Sequence, residues 1–255
     1  MAALPVTPAP LPPSPEAPPL SEGARLVNVF IAPSKTFTDL RRNASWWGPF
    51  LLLIVMSVAF TYGVDSKVGF RQIVENQIQH SPKAAQRMDQ TPPDQREQAI
   101  ERQAVGTRYF MYGFPVILLI IFVILAGIYL ASFKFGANAD LTFKVALAVV
   151  VYASLPELIR QLLALVSVYA GVAPDSFNVQ NPVATNLGYF LDPANSPFLY
   201  GIASALDVFR LWSLVLTAIG FACAAKVKSS TSFAIVFGWF VVLTLVFSGL
   251  GAMAS

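Results

Sequence analysis

Residues 110–133 read FMYGFPVILLIIFVILAGIYLASF, and this stretch decides the fold class. It contains no charged side chain and carries aromatic residues at both ends. A helix that crosses the hydrocarbon core of a bilayer needs about 20 mostly apolar residues, and aromatic side chains are typical of its two interfaces. The whole chain agrees: 55% of its 255 residues are hydrophobic and only 12% are charged. Soluble domains carry about 25% charged residues, so the composition predicts a membrane protein.

The same criterion finds further spans on both sides of this stretch. The sequence predicts an all-α polytopic membrane protein with transmembrane helices at residues 47–64, 110–133, 144–170, 201–225 and 231–253. The membrane domain is therefore expected to run from residue 47 to residue 253. Its first loop, residues 65–109, contains two amphipathic patterns and is predicted to form extramembrane helices.

Two segments precede the first span. Residues 1–23 are rich in proline, which disfavours both helix and sheet, so a disordered tail is expected there. Residues 24–46 combine apolar side chains with Lys35, Arg41 and Arg42. This pattern predicts an amphipathic segment at the membrane interface, in which the three basic residues form an anchor against anionic lipid headgroups.

The distribution of Lys and Arg predicts the orientation of the spans. Basic residues flank the first span at its N-terminal end and occupy the second and fourth loops, whereas the third loop and the C-terminal tail have none. By the positive-inside rule, the N-terminus is cytoplasmic and the C-terminus external, in the inner (plasma) membrane of a cell. The first loop disagrees, because it is predicted to be external and yet contains seven Lys and Arg residues.

Polar side chains interrupt the third and fourth spans. Glu157, Arg160 and Gln161 lie three or four residues apart in YASLPELIRQLLALV, residues 152–166, and Asp207 and Arg210 have the same spacing in the fourth span. Such spacing places side chains on one helix face, and counting 1.5 Å per residue brings the two sets to similar depths. A neutral network is expected, with Glu157 paired to Arg210 and Asp207 paired to Arg160 across the two spans, and with further pairing along each helix.

Pro156 lies beside these charges and is predicted to kink the third span, since it cannot donate a hydrogen bond to the Tyr152 carbonyl. Two interpretations of the polar set stay open. It is either a structural clamp between spans three and four, or part of a transporter or channel in which Glu157 or Asp207 binds a cation or proton.

The sequence contains no recognisable catalytic motif, phosphate-binding glycine loop or metal-ligand set. His80 and Cys223 are the only residues of their types and have no companion ligands. We therefore expect no enzymatic activity and no cofactor. The formal net charge is only +3 and no basic patch with aromatic residues occurs, so nucleic acid is not an expected partner.

Three segments resemble the prokaryotic branch of the Yip family, the Ypt-interacting polytopic membrane proteins. They are PSKTF followed by WWGPFLLLIV, then YASLPELIRQLL, and then LDVFRLWSLVLTAIGFACAAKVKSSTSFAIVFGW, in which Asp207, Trp212 and Gly220 fall in the family's order. The resemblance covers residues 25–253 and implies five membrane helices with a cytosolic N-terminus. In eukaryotes the family implies binding of Rab-type GTPases and a role in vesicle traffic. The tyrosine-containing segments of eukaryotic members are not recognisable here and the first loop is unusually long, so only the architecture carries over.

These observations together predict a non-enzymatic membrane scaffold or adaptor that acts through helix packing and through contacts with partners or lipid. Its expected partner is the lipid bilayer, with other membrane proteins or a homo-oligomer left open. The alternatives are the transporter or channel component described above and a regulator that recruits a soluble protein through the proline-rich tail.

Overall fold

A computed structural model gives the structure of residues 18–254, in which helices account for nearly all regular structure. The predicted tail, residues 1–23, lies for the most part outside the described residues. The α-helices are α1 (Glu22–Ile31), α2 (Pro33–Asp39), α3 (Trp47–Lys67), α4 (Phe70–Gln79), α5 (Pro82–Asp89), α6 (Pro93–Ala131), α7 (Phe143–Ala153), α8 (Pro156–Tyr169), α9 (Pro197–Ala205), α10 (Val208–Ala225) and α11 (Ser229–Ala254). A π-helical turn, Ser132–Gly136, continues α6.

Five helical segments are long and apolar enough to cross a membrane, which confirms the predicted class of all-α polytopic membrane protein. They are Trp47–Lys67, Pro93–Gly136, Phe143–Tyr169, Val208–Ala225 and Ser229–Met253. These correspond to α3, to α6 with its π-helical turn, to α7 with α8, to α10 and to α11. The described part of the chain contains no β-strand.

The second span is longer than predicted because it continues without interruption into the first loop. α6 has 39 residues and is therefore about 59 Å long, roughly twice the thickness of the hydrocarbon core. Its N-terminal part packs against α4, where Phe70, Ile73 and Val74 are buried together with Ile100. The apolar side chains of α4 and of the N-terminal part of α6 thus belong to a second, smaller core.

The third span is divided in two at Pro156, and the prediction of a simple kink is corrected to a break. α7 ends at Ala153, and α8 begins at Pro156, where a proline needs no amide donor. The Leu155 amide donates to the Tyr152 carbonyl at 3.2 Å. The carbonyl that Pro156 was expected to leave open is therefore satisfied inside the turn.

The fourth span begins at Val208, so the predicted start at residue 201 is wrong. Residues 197–205 form the separate helix α9, and Asp207 between the two helices has an extended backbone with φ of −90° and ψ of 137°. The Asp207 side chain accepts hydrogen bonds from the Phe209 and Arg210 amides. An aspartate that caps the first free amides of a helix in this way starts a new helix at the following residue.

The main core lies where the N-terminal helices meet α7 and α10. We refer to α1 and α2 as the N-terminal hairpin. Its side chains Val29, Phe37 and Leu40 are fully buried in this core. The hairpin thus packs its apolar face against protein, and the position of residues 24–46 at the membrane interface stays a prediction.

Gly220 of α10 permits the closest approach in this core, and this generates a test of the packing. A Cβ atom at Gly220 would lie 2.6 Å from Val149 Cγ1 and 3.0 Å from the ring of Phe37. We expect Gly220→Ala to destabilise the protein by about 1–3 kcal/mol, because it inserts a methyl group into filled space. The measurement is thermal unfolding of the purified protein in detergent.

The matched control is Gly127→Ala in α6, where a Cβ atom would meet nothing within 4 Å. This change should be neutral or stabilising by up to about 1 kcal/mol, since alanine favours helix over glycine. Equal unfolding temperatures for the two variants would contradict the close packing of the hairpin on α10.

Candidate functional site

The most deeply buried charge in the described structure is Arg25 of the N-terminal hairpin. Its side chain is only 1% exposed, and its Nε atom donates to Asp39 Oδ2 at 2.7 Å. Its Nη1 atom donates to Glu22 Oε1 at 3.1 Å. The Thr36 hydroxyl donates to the Arg25 carbonyl, which adds a second bond between α1 and α2.

Glu22 extends this cluster from the hairpin into the third span. The hydroxyl of Tyr152, a fully buried residue at the end of α7, donates to Glu22 Oε2 at 2.7 Å. One continuous set of hydrogen bonds therefore joins α2, α1 and α7. Burial lowers the pKa of the Arg25 guanidinium, but its hydrogen bond and charge interaction with Asp39 outweigh this effect and leave the pKa above its ordinary value.

The residues of the predicted interfacial anchor, Lys35, Arg41 and Arg42, are all exposed. Their contact with lipid headgroups stays a prediction. Arg25 and Asp39 were not among the predicted site residues. The signal in the sequence is that Asp39 is the one acidic residue of residues 24–46.

The structure brings together only one of the charge pairs predicted in spans three and four. Arg160 Nε donates to Glu157 Oε2 at 2.7 Å, along one face of α8. Neither Glu157 with Arg210 nor Asp207 with Arg160 forms an ion pair in residues 18–254. The prediction of a four-charge network across the two spans is therefore wrong.

The reason is the helix break before α10, which uses Asp207 as a cap. Besides the two amides, the buried Asp207 carboxylate accepts a hydrogen bond from the Thr185 hydroxyl, and the Val208 amide donates to the Thr185 carbonyl at 3.0 Å. Asp207 therefore fixes the third loop to the start of α10. Its carboxylate is directed at the loop and at its own helix, and so it does not reach α8.

Two polar side chains of the predicted set keep unused hydrogen-bonding groups. Arg210 is exposed and forms no ion pair within the described part of the chain. Gln161 has a buried Oε1 atom without a hydrogen-bond partner among the described residues. Each of these two residues lines a cavity.

The first cavity lies among α3, α4, α6 and α8 and has a volume of about 620 Å³. Arg160 and Gln161 line it together with apolar residues such as Phe60 and Met111. The second cavity lies among α6, α9, α10 and α11, has a volume of about 940 Å³ and includes Arg210. Both volumes fall in the range of small-molecule sites in proteins, about 300–1,000 Å³.

No group of three or more His, Cys, Asp or Glu side chains that could hold a metal ion occurs in the described residues. The His80 ring Nδ1 lies 2.6 Å from the Asn76 carbonyl oxygen at the end of α4. Asn76 in turn donates to the carbonyls of Pro174 and Phe177, and so it links the first and third loops. His80 therefore lies at a junction between loops.

The family model described as the Yip1 domain matches residues 27–250. The chain belongs to the Yip family. This Yip-family match includes Asp39, the first four spans and all but the last three residues of the fifth, whereas Glu22 and Arg25 lie just before its first residue. Comparison with curated proteins and with solved structures finds no match.

The Arg25 cluster generates a double-mutant test. Removal of one partner from a buried ion pair costs about 3–5 kcal/mol, because the other charge is left without compensation. We expect Arg25→Gln and Asp39→Asn each to destabilise this Yip-family protein by about that amount, and the double variant to recover much of the loss. Thermal unfolding in detergent measures all three.

Arg71→Gln is the matched control, because Arg71 contacts three carboxylates, one more than Arg25 does, but its side chain is 46% exposed. Its loss should be much smaller than that of Arg25→Gln, because exposed ion pairs contribute little to stability. If Arg25→Gln and Arg71→Gln have the same effect, or if the losses at Arg25 and Asp39 simply add, the buried pair does not hold the hairpin.

Proposed function

We propose that this Yip-family protein is a non-enzymatic membrane scaffold or adaptor, which acts through contacts with other membrane proteins, with further copies of itself or with lipid. The Rab-binding role of eukaryotic family members is not part of the proposal. We assign the protein to the prokaryotic branch, on the sequence resemblance described above.

The main support for the proposal is that the two carboxylates near and within spans three and four already have hydrogen-bond partners. Glu157 is bound to Arg160, and Asp207 is bound to the Thr185 hydroxyl and to two backbone amides. An ion or proton pathway needs a carboxylate that can exchange its partner for the transported cation. Carboxylates that are engaged in local bonds of this kind favour a structural role over transport.

The last span is the least buried of the five. Only 11% of the apolar window of Ser229–Met253 is buried, and Val242 and Phe247 are 49% and 67% exposed. A Cβ atom at Gly238 or at Gly249 would meet nothing within 4 Å. Glycines that are not needed inside the bundle are available for close packing of a second helix from the membrane.

We further propose that the protein is located in the inner (plasma) membrane, with a cytoplasmic N-terminus and an external C-terminus. Lys134 and Lys144 flank the turn after α6, and Lys226 and Lys228 lie between α10 and α11. The indole of Trp239 donates to Ser132 Oγ at 2.8 Å, which is consistent with these two basic loops lying on the same side. The positive-inside rule then assigns that side to the cytoplasm.

The proposal is tested by reconstitution of the full chain into liposomes together with crosslinking in membranes. In liposomes we expect proton and cation fluxes no greater than in protein-free vesicles. In native membranes, a photoreactive residue at Val242 or Phe247 should form protein adducts, whereas the same residue at the fully buried Val236 should form none.

Two variants of Asp207 separate the scaffold from the transporter. Asp207→Asn keeps an acceptor oxygen for the helix cap and should fold, whereas Asp207→Ala should lose about 1–2 kcal/mol of stability. The parent protein could instead show a flux that Asp207→Asn or Glu157→Gln abolishes while the fold is retained. That result would contradict the proposed scaffold function and favour transport. Absence of protein adducts at both exposed positions would also contradict it.

A further inference from the structure

We propose that the second cavity binds an anionic phospholipid, whose phosphate is held by Arg210 and one of whose acyl chains lies in the apolar part of the cavity. The inference deepens the proposed function, since it names the class of lipid with which the scaffold makes contact. It depends on three features of the cavity: the depth of Arg210, the charge around it and the lining below it.

The depth of Arg210 is that of a lipid headgroup. α10 has 18 residues and is about 27 Å long, close to the hydrocarbon thickness of about 30 Å. Arg210 is the third residue of this helix, so its Cα atom lies about 3 Å along the axis from the start. The guanidinium is thus near the boundary of the hydrocarbon core, where phosphates lie.

The charge around Arg210 is not balanced by the protein. No Asp or Glu lines the second cavity, and the nearest carboxylate in sequence, Asp207, already accepts three hydrogen bonds. A guanidinium has five N–H donors in a planar arrangement that fits two phosphate oxygens at once. An unpaired arginine near the membrane surface attracts anionic lipid headgroups.

The lining of the second cavity suits an acyl chain. Three spans contribute apolar side chains, namely Ile121, Leu125, Leu214, Phe240, Leu243 and Phe247. The other polar side chains of the lining include no carboxylate; they are His80, Ser81, Tyr129, Gln180, Tyr200, Thr244 and Ser248. A site with a cationic end and a long apolar remainder complements a molecule that has a phosphate at one end and a hydrocarbon chain at the other.

The first cavity provides an internal comparison. Its arginine, Arg160, is bound to Glu157, so the pair carries no net charge. The second cavity therefore has the stronger attraction for an anion. Within phospholipids, a headgroup without an ammonium is favoured, because an ammonium beside the phosphate would offset the attraction to Arg210.

The experiment measures lipid retention by the full chain. The purified protein in detergent is titrated with phosphatidylglycerol or phosphatidylcholine of identical acyl chains, and bound lipid is counted by native mass spectrometry. We expect retention of phosphatidylglycerol to exceed that of phosphatidylcholine and to fall about tenfold or more in Arg210→Gln, as loss of hydrogen bonds to a charged group implies. Arg210→Lys should keep part of the affinity, since the charge remains and the paired geometry is lost.

Two further variants test whether lipid retention depends on the second cavity. Arg102→Gln removes an exposed arginine of the first loop and should leave lipid retention unchanged. Leu214→Phe adds bulk inside the cavity and should reduce retention of both lipids while Arg210 is intact. Since Arg210 is exposed, Arg210→Gln should unfold at the same temperature as the parent protein once lipid has been removed.

Equal retention of phosphatidylglycerol by the parent protein and by Arg210→Gln would overturn the inference. Competition by inorganic phosphate at the same concentration as the lipid would also overturn it, since the cavity would then hold a free anion without using its apolar lining. Neither result alters the flux test or crosslinking at Val242, which does not line the second cavity, so failure of the lipid site is distinguishable from failure of the scaffold.

Discussion

The ion pair between Arg25 and Asp39 is the interaction on which the rest of this structure depends. A buried pair of charges needs further hydrogen bonds, and here the Arg25 guanidinium also donates to Glu22. Tyr152 in turn donates to Glu22, and the Thr36 hydroxyl donates to the backbone carbonyl of Arg25. Those bonds fix α1 against α2 and both against the third span. The apolar side chains of the hairpin then complete the core beside α10.

The sequence was sufficient to predict the five spans because hydropathy is a property of local composition. Each span is an apolar run long enough for a bilayer, and no packing detail changes that requirement. The apolar face of α4 was predictable for a similar reason, since Phe70, Ile73 and Val74 follow the helical period. Lys35, Arg41 and Arg42 are accessible as expected, and their contact with lipid remains a prediction.

The helix breaks and the buried pair were not predictable in the same way. Asp207 lies in an apolar run and has helical spacing to Arg210, yet its side chain caps α10, because Thr185 holds it from a distant loop. Arg25 and Asp39 are 14 residues apart, a separation that no single helix brings together. Both features depend on contacts between segments far apart in the chain, and hydropathy contains no information about those contacts.

The corrected positions of the charged residues also change what the spans are expected to do. Once Asp207 serves as a cap and Glu157 is bound to Arg160, no acidic partner remains for Arg210 within residues 18–254. The charge network predicted between two helices is replaced by a cavity that contains Arg210 and no carboxylate. This moves the search for a ligand from ions crossing the membrane to the lipids that surround the protein.

Hydrogen–deuterium exchange of the protein in lipid nanodiscs tests most directly whether the N-terminal hairpin is part of the membrane core. Amides of Pro33–Asp39 should exchange as slowly as those of Val208–Ala225, because α2 is released only when the bundle opens. Amides of Pro82–Asp89, a helix without buried residues, should exchange much faster. Exchange of α2 as fast as that of α5 would contradict the central role of the Arg25–Asp39 pair.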